Sequence, residues 1–343
     1  MSKEFRTGVR GRSVKAVSGV SFSVERGETF ALVGESGCGK TTLGRMLVGL
    51  ESPDTGSIRV DGIELTTASN RMMRAARRNC QLMFQDPASS LDPRMKIGAT
   101  LREPLTIHGV GDRAERRDTV AGLLHEVGLD PGAATLFPHQ FSGGQRQRVS
   151  LARALALKPE FLVADEPVSA LDASVRSQIL NLMRHLQDVH HLTYVLISHD
   201  LSVVSFMADR VAVMYMGRIV ELGPSRDVYE QPAHPYTAGL LDAVPIPNPK
   251  YEKAKKTLRI LGELPSAIDP PSGCRYRTRC PRAEELCASE EPLMRAFGES
   301  GHVAACHFPL RTPEREVGAT NDPRRSPPSD SQSPANYAER PQT

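Results

Sequence analysis

Short apolar runs alternate with longer amphipathic stretches along most of the chain. Residues 29–33, 161–164 and 193–197 are almost wholly apolar, which is typical of strands buried on both faces of a parallel sheet. Residues 210–215 predict a further strand. Residues 174–191 place apolar side chains on one face of a predicted helix. Strands that alternate with helices predict an α/β fold with helices packed on a parallel sheet.

The N-terminal and middle parts of the chain add smaller features. Residues 20–24 alternate between apolar and serine positions, which predicts a half-buried strand. Residues 40–50 predict a helix after a glycine-rich turn, and residues 57–60 predict another strand. Residues 86–158 have a mainly helical pattern without strand-like runs, so we expect them to form a helical subdomain.

The pattern changes beyond residue 245. A proline-rich stretch, residues 244–249, predicts a stiff linker. Residues 246–310 carry many charges and prolines and few large apolar residues, which predicts a small cysteine-rich extension with a thin core. Residues 311–343 are rich in Pro, Ser, Arg, Asp and Gln and are predicted to be disordered. The main domain is expected to span residues 1–245.

Composition and charge exclude some classes of protein. The chain has 343 residues, of which 39% are hydrophobic, enough for a substantial core, and its net charge of +3 gives no argument for nucleic-acid binding. The most apolar stretch, residues 194–216, is interrupted by His199, Asp200, Asp209 and Arg210, so no membrane span is predicted. The N-terminus lacks the apolar core of a signal peptide. We expect a soluble cytosolic chain that needs partners for membrane contact.

A phosphate-binding loop is the clearest chemical motif. Residues 34–41 read G-E-S-G-C-G-K-T, which matches G-x-x-x-x-G-K-[ST] between a predicted buried strand and a helix. The glycines let backbone N–H groups converge on phosphate oxygens, Lys40 supplies positive charge to the β- and γ-phosphates, and Thr41 offers a hydroxyl to Mg²⁺. The residues assigned to ATP here are Gly34, Glu35, Ser36, Gly37, Cys38, Gly39, Lys40, Thr41 and Thr42.

Two acids follow the predicted strand at residues 161–164. Asp165 is placed to hold Mg²⁺, usually through water, and Glu166 can polarise the attacking water as a general base. Alone, such a pair is equally consistent with solvated acids at a strand end. Its occurrence together with the phosphate-binding loop favours the catalytic interpretation.

A third motif resembles the signature of one family. Residues 141–148 read F-S-G-G-Q-R-Q-R and resemble the signature of the ABC (ATP-binding cassette) ATPases, usually L-S-G-G-Q, with an apolar replacement at Phe141. At a helix start, hydroxyl and N–H groups of this motif can bind a γ-phosphate. The resemblance covers residues 13–245. The signature residues expected to bind nucleotide are Ser142, Gly143, Gly144 and Gln145.

The resemblance implies further roles for single residues. Gln85 resembles the Q-loop glutamine, which senses Mg²⁺ and the attacking water, and residues 169–172, S-A-L-D, resemble the D-loop. His199 resembles the switch histidine that contacts the γ-phosphate. The family usually stacks a Tyr on adenine. We assign that role to Phe5, since stacking uses the ring face, with a disordered N-terminus as the alternative.

The resemblance also implies an architecture and a set of partners. The fold is expected to be a RecA-like P-loop domain with a small antiparallel β subdomain and a helical subdomain at about residues 86–158. In this family the signature of one subunit completes the phosphate site of another. We therefore expect a second ABC ATPase subunit, a paralogue in a heterodimer, and two transmembrane permease subunits. An extracytoplasmic solute-binding protein would act through the permeases, the chain would lie peripherally at the cytoplasmic face of the membrane, and no nucleic acid is expected.

The C-terminal part narrows the resemblance. Residues 231–237, Q-P-A-H-P-Y-T, and residues 262–266, G-E-L-P-S, resemble segments of oligopeptide and dipeptide importer ATPases. This implies ATP hydrolysis coupled to uptake of di- or oligopeptides, with a nickel chelate or glutathione as alternative solutes. A soluble ABC ATPase that acts on ribosomes or DNA usually has two cassettes or a coiled-coil insert, and the sequence shows neither. A purely regulatory module is disfavoured because Glu166 and His199 are both present.

Four cysteines are grouped near the C-terminus, at Cys274, Cys280, Cys287 and Cys306. In a cytosolic protein such a group favours metal binding over disulfides, and four thiolates suit an iron–sulfur cluster or Zn²⁺. In the resembling subfamily the pattern goes with a [4Fe–4S] cluster, which is the expectation here. Zn²⁺, with His302 or His307 as further ligands, and four unligated thiols are the alternatives.

Overall fold

The computed structural model describes residues 1–6, 12–86, 90–243, 262–312 and 315–316. Its strands are Lys3–Arg6 (β1), Ser13–Val17 (β2), Thr29–Val33 (β3), Arg59–Val60 (β4), Ile63–Glu64 (β5), Cys80–Met83 (β6), Phe161–Asp165 (β7), Thr193–Ser198 (β8), Arg210–Tyr215 (β9), Arg218–Pro224 (β10), Met294–Ala296 (β11), Val303–Ala305 (β12) and Arg315–Glu316 (β13). Its helices are Lys40–Leu47 (α1), Asn70–Asn79 (α2), Ile97–Ile107 (α3), Arg113–Glu126 (α4), Gly143–Leu155 (α5), Ala173–His190 (α6), Leu201–Met207 (α7), Ser225–Glu230 (α8), Pro235–Asp242 (α9) and Leu286–Ser289 (α10), with 3-10 turns at Pro131–Thr135 and Pro138–Gln140.

A mixed sheet forms the centre of the molecule. Within the described ranges it has nine strands in the order β13-β11-β12-β10-β9-β3-β8-β7-β6. Strands β9, β3, β8, β7 and β6 are parallel, whereas β10 to β13 continue the sheet with antiparallel pairs. Every residue of β3 is buried, as its uninterrupted apolar run predicted. The predicted α/β sheet is thus confirmed, and its antiparallel side was not foreseen.

Helices cover both faces of the sheet. Successive residues of a strand point to opposite faces, and Leu196 and Ile197 of β8 therefore belong to different cores. Ile197 packs with Leu43 of α1 on the face that carries the phosphate-binding loop. Leu196 shares its cluster with Met183 of α6 and with buried residues of α3 to α5, including Leu124. Two cores on one sheet are what a buried parallel sheet requires.

The helical subdomain predicted at residues 86–158 is present. Helices α3, α4 and α5 account for most of it, and residues 90–158 contain no strand. Helix α4 begins at a capping box in which Asp112 accepts hydrogen bonds from backbone N–H groups of the first turn and Glu115 bonds back to the N–H of Asp112. The subdomain is attached to the sheet by apolar packing of Leu101 and Leu151, which are fully buried in one cluster with β7 and β8.

The strand predicted at residues 20–24 is wrong. Burial alternates as the pattern indicated, with Val20 buried and Ser21 exposed, but no strand is assigned to these described residues. The N–H of Val20 donates instead to the carbonyl of Met1. An alternating pattern states which side chains are buried, and a strand needs a pairing partner as well. The N-terminal antiparallel pair is β1 with β2, and the small pair β4–β5 begins at Arg59, two residues later than predicted.

Residues 262–312 do not form the separate extension that the sequence predicted. Strand β12 pairs with β10, with Val303 opposite Leu222, so this part of the chain enlarges the main sheet. Three-residue strands are too short to leave an alternating signature, which is why the sequence missed them. The predicted linker at residues 244–249 lies outside the described residues. Most of the predicted disordered tail, residues 311–343, also lies outside them. Strand β13 belongs to the described part of that tail and pairs with β11.

Candidate nucleotide site

The phosphate-binding loop connects β3 to α1 and leaves no room for side chains at two glycines. A Cβ atom on Gly34 would lie 2.2 Å from the carbonyl oxygen of Met214, and one on Gly39 would lie 2.0 Å from that of Ala16. Both residues have positive φ, 151° and 108°. Glycine is required here because the loop backbone lies directly against β2 and β9.

Lys40 is the first residue of α1 and is only 5% exposed. Its Nζ donates to the carbonyl oxygens of Gly34 at 2.7 Å and of Glu35 at 2.9 Å. The ammonium group is therefore held inside the loop. Together with the N–H groups at the start of α1, it makes this loop a site for an anion.

Asp165 ends β7 beside the first turn of α1. Its side chain is 5% exposed and accepts a hydrogen bond from Thr41, while its Oδ1 is buried without a hydrogen-bond partner among the described groups. Burial raises the pKa of Asp165, and the hydrogen bond from Thr41 opposes that rise. A buried, unpartnered carboxylate oxygen next to a hydroxyl fits a hard divalent cation such as Mg²⁺.

Glu166 is bonded to two predicted catalytic residues. Gln85 donates from Nε2 to its Oε2 at 2.8 Å, and Nδ1 of His199 lies 2.9 Å from its Oε1. The backbone of Glu166 has φ of 47°, a left-handed conformation that is unfavourable for a non-glycine residue, and its N–H donates to the carbonyl of Ile197. The strained turn directs the carboxylate between the other two side chains.

The start of the phosphate-binding loop and the group formed by Gln85, Glu166 and His199 face one cleft of about 390 Å³. The phosphate-binding loop forms one side, the Gln85–Glu166–His199 group forms the other, and helices α7 and α9 contribute apolar residues. The described lining residues are Gly34, Glu35, Ser36, Gln85, Glu166, His199, Leu201 and Leu240. The structure therefore brings residues of four separately predicted motifs to a single opening.

The signature motif lies elsewhere. Ser142 caps α5 in a capping box with Gln145, and Gly144 lies so close to α6 that a Cβ atom there would be 2.4 Å from Cγ1 of Val175. The next turn of α5 contacts the residue that follows the two strand-end acids, because Nε2 of Gln147 donates to the carbonyl of Pro167. None of the four signature residues is among the described residues that line the cleft. Among the described residues of one chain, the signature motif therefore does not share this cleft with the phosphate-binding loop.

Phe5 lies on β1, a strand that the sequence did not predict. It pairs with Val14 of β2, and Ala16 of β2 touches the phosphate-binding loop at Gly39. The ring is 38% exposed, with Nζ of Lys3 5.4 Å from its centroid. Phe5 is therefore one strand removed from the strand that contacts the loop, and its assigned role stays a prediction.

Two C-terminal residues that sequence reasoning missed also contact the loop. The N–H of Glu35 donates to Oη of Tyr236 at 3.1 Å, and Arg279 donates to both carboxylate oxygens of Glu35 at 2.6 Å and 3.1 Å. Tyr236 lies in the segment at residues 231–237 that resembles importer ATPases, but the resemblance carried no role for it, and no role was predicted for Arg279. Contacts over 201 and 244 residues leave no local sequence signal.

The four grouped cysteines are all free thiols. Burial is the main reason that the pKa of Cys306 rises to about 12, and the charges of Cys274, Cys280 and Cys287 raise it further, so the four thiols lie near one another. However, across the described residues no three His, Cys, Asp or Glu side chains converge as a group that could hold a metal. The described residues therefore give no support to the predicted iron–sulfur or zinc site.

Comparisons with known proteins agree with this geometry. A sequence model of the family described as "ABC transporter" matches residues 17–169, and one described as "Oligopeptide/dipeptide transporter, C-terminal region" matches residues 220–287. The chain is 48% identical to a putative oligopeptide transport ATP-binding protein of Bacillus subtilis, over 87% of this chain and 90% of that protein. It is 50% identical to a di/tripeptide transport ATP-binding protein of Pseudomonas aeruginosa, over 86% and 90%.

Solved structures give the same picture of the fold. The dimeric ATP-binding cassette MJ0796, in a post-hydrolysis state bound to ADP and Pi, superimposes with a TM-score of 0.60 at 28% identity, over 66% of this chain and 96% of that one. The protein cbiO1 of Clostridium perfringens, part of the ABC transporter complex cbiONQ, gives 0.58 at 28% identity, over 63% and 85%. The part of the chain that the structure describes contains no helix with the length and apolarity needed to cross a membrane.

Proposed function

This chain belongs to the ABC transporter ATP-binding proteins of the oligopeptide and dipeptide transport group, and we propose that it is the ATP-hydrolysing subunit that drives import of di- or oligopeptides. The observation that carries this proposal is the bonding of Gln85 and His199 to the two carboxylate oxygens of Glu166, opposite the phosphate-binding loop. Such an arrangement suits hydrolysis, because a carboxylate held between two polar side chains can orient and deprotonate water.

The reaction follows from the positions of the chain's own groups. Backbone N–H groups of residues 34–41 and the Nζ of Lys40 would bind the phosphates of ATP. Thr41, Gln85 and Asp165 would hold Mg²⁺, which when bound neutralises charge on the phosphates. Glu166 would take a proton from water as the water attacks the γ-phosphorus, and ADP leaves.

His199 has a second role in this proposal. Its Nδ1 is bonded to Glu166, and its side chain is 56% exposed, which leaves the rest of the ring open to the cleft. One ring nitrogen therefore orients the base while the other can contact the γ-phosphate. The adenine ring would stack on Phe5, whose strand β1 pairs with β2, and β2 contacts the loop at Ala16.

Hydrolysis is proposed to need two ATPase subunits. The signature residues Ser142, Gly143, Gly144 and Gln145 begin a helix whose N–H groups suit a γ-phosphate, and they do not line the cleft of their own chain among the described residues. They would complete the site of a second, paralogous ATPase. The dimeric cassette MJ0796 provides a precedent for pairing of such chains.

The other proposed partners follow from coupling to transport. Two transmembrane permease subunits would hold the chain peripherally at the cytoplasmic face of the membrane, and an extracytoplasmic binding protein would deliver the solute to them. Relatives named for peptide, oligopeptide and di/tripeptide transport favour peptides over a nickel chelate or glutathione. They give no support to action on ribosomes or DNA.

The [4Fe–4S] cluster, favoured by the resemblance, and its Zn²⁺ alternative remain predictions from the four grouped cysteines. The nearness of Cys306 to Cys274, Cys280 and Cys287 supports it, and the absence of a converging ligand group among the described residues speaks against it. Metal analysis of anaerobically purified protein decides: about four irons per chain supports the cluster. One zinc supports the alternative, and an active protein without metal refutes both.

Uptake by an assembled transporter tests the function. The chain would be co-expressed with its permeases and partner ATPase, reconstituted in vesicles and supplied with binding protein and a labelled tripeptide. We expect ATP-dependent accumulation that stops when Glu166→Gln replaces the wild-type chain. Accumulation that continues without ATP hydrolysis by this chain, or that occurs for a nickel chelate and not for peptides, would contradict the proposal.

A further inference from the structure

The phosphate-binding loop contains an acid at an unfavourable place. Glu35 follows the first glycine of the loop and lines the same cleft as Glu166. A carboxylate at the edge of a phosphate site repels a polyanion, and the repulsion grows as the site loses water. The side chain of Glu35 is 27% exposed, so solvent alone screens it incompletely.

Arg279 compensates this charge. Its guanidinium forms a two-point pair with the carboxylate of Glu35, at 2.6 Å and 3.1 Å, and its side chain is 8% exposed. Paired bonds of this kind are among the strongest that side chains form, and they hold both partners in one orientation. The guanidinium also lies 6.0 Å from the ring centroid of Tyr215, which confines it on another side.

The backbone of Glu35 is held at the same time. Its N–H donates to Tyr236, and its carbonyl accepts from Lys40. The ring of Tyr236 packs against Tyr215 and Tyr276, with centroid distances of 4.7 Å and 5.3 Å. Tyr276 lies on the same segment as Arg279, so the C-terminal segment holds both the side chain and, through this aromatic cluster, the backbone of Glu35.

We propose that Arg279 is a positioning residue of the nucleotide site, which neutralises Glu35 and fixes the first turn of the phosphate-binding loop. It acts through Glu35 and not by touching the nucleotide. Arg279 is thereby part of the ATP site, although it lies on a C-terminal segment far from the loop in sequence. This inference rests on the proposed binding of ATP at Lys40.

Titration of the full-length chain with ATP, followed by steady-state ATPase kinetics in the assembled transporter, tests the role. Arg279→Ala should weaken ATP binding about tenfold and raise the KM for ATP more than it lowers kcat, since a charge-assisted pair is lost next to the phosphates. Arg277→Ala is the matched control. Arg277 lies on the same segment and donates to the carbonyl of Ser272 at 3.0 Å, so its loss should leave ATP binding unchanged.

Recovery of ATP affinity in a double variant distinguishes compensation of the Glu35 charge from a purely structural role of Arg279. In the double variant Glu35→Gln with Arg279→Ala, the acid that needs compensation is gone, so ATP affinity should return close to the wild-type value. Glu35→Gln alone should bind ATP at least as tightly as wild type. Arg279→Lys, which keeps the charge but not the two-point pair, should lose less affinity than Arg279→Ala.

Each outcome decides the matter. Unchanged ATP affinity in Arg279→Ala, a double variant as weak as that single variant, or weaker binding by Glu35→Gln would overturn the proposal. If Arg279→Ala does not fold, as judged by its unfolding transition, Glu35→Gln and Arg279→Lys carry the test. A wild-type chain that fails to bind ATP overturns the proposed function itself, which separates that failure from failure of the Arg279 role.

Discussion

His199 and Glu166 are 33 residues apart in the chain, yet Nδ1 of the histidine lies 2.9 Å from Oε1 of the glutamate. The two residues follow the adjacent parallel strands β8 and β7, whose carboxyl ends meet at one edge of the sheet. Gln85, just beyond the next strand, β6, completes the group from the other side. The order of the strands within the sheet, and not their order along the chain, therefore brings these three residues together.

Glu166→Gln should bind ATP but hydrolyse it about 10²-fold more slowly or worse, because an amide cannot take the proton of the attacking water. We also expect the variant to accumulate as an ATP-bound dimer, detectable by size-exclusion chromatography. Glu160→Gln is the control, since Glu160 is an exposed acid near the opposite end of β7 that pairs with Arg26 at the surface. Normal ATPase rates for Glu166→Gln in the assembled transporter would remove this residue from the mechanism.

Lys40 and Ser142 should act in different composite sites. Lys40→Ala and Ser142→Arg should each abolish most ATPase activity in a chain that still folds, because one removes a phosphate ligand and the other blocks the facing subunit. Ser142→Arg also removes the cap of α5, which should lower the free energy of unfolding by about 1 kcal/mol. Specific activity of the wild-type chain should rise with protein concentration as subunits pair. Ser177→Arg, on an exposed position of α6, is the control and should retain activity. Full, concentration-independent turnover by a strictly monomeric chain would contradict shared sites.

Two glycines in helices should respond in opposite ways to alanine. Gly144→Ala places a Cβ atom 2.4 Å from Cγ1 of Val175, so α5 and α6 must separate, which should lower the free energy of unfolding by about 1–3 kcal/mol. At Gly122 in α4, the structure describes no atom within 4 Å of the added Cβ. Gly122→Ala should therefore raise the free energy of unfolding by about 0.5–1 kcal/mol. Urea unfolding measures both values, and equal effects would show that contact with Val175 is unimportant.

His234 should make stability depend on pH. Burial lowers its pKa to about 4 from the ordinary 6.5, while the charge of Glu221 opposes this shift. Between these pH values the unfolded chain binds more protons than the folded one, so the free energy of unfolding falls as pH decreases from 6.5 to 4, by up to about 3 kcal/mol.

Asparagine substitution measures that contribution. His234 caps α9 by accepting from the N–H of Tyr236, and asparagine keeps an acceptor but does not titrate. His234→Asn should therefore flatten the dependence of the urea midpoint on pH between 6.5 and 4.5. His191→Asn, at an exposed left-handed position that asparagine tolerates, should keep the wild-type dependence. An unchanged slope for His234→Asn would mean that other groups cause it.

The sequence pattern predicted four of the five described parallel strands, the helical content of residues 90–158 and Glu166 as a base, whereas it missed β6. The family resemblance named Gln85 and His199. Uninterrupted apolar runs such as residues 193–197 are legible because a strand buried on both faces must be apolar throughout. The prediction from sequence was wrong at residues 20–24, where burial alternates without strand pairing. It also missed the three-residue strands β11 and β12. Those features depend on the partner that a segment meets, which local pattern does not contain.

Within the nucleotide site, the phosphate-binding loop was predicted from the sequence, whereas its long-range contacts were not. Its glycines, Lys40 and Thr41 were predicted because a phosphate cradle is built from consecutive residues, so its chemistry is written in a contiguous motif. The pairing of Glu35 with Arg279 was decided only by tertiary structure, because it joins residues 244 positions apart. The segment that carries Arg279 packs beside the loop through Tyr276, whose ring contacts Tyr236, the partner of the Glu35 N–H. Local motifs determine which groups can bind phosphate, whereas packing of the whole chain decides which distant charges surround them.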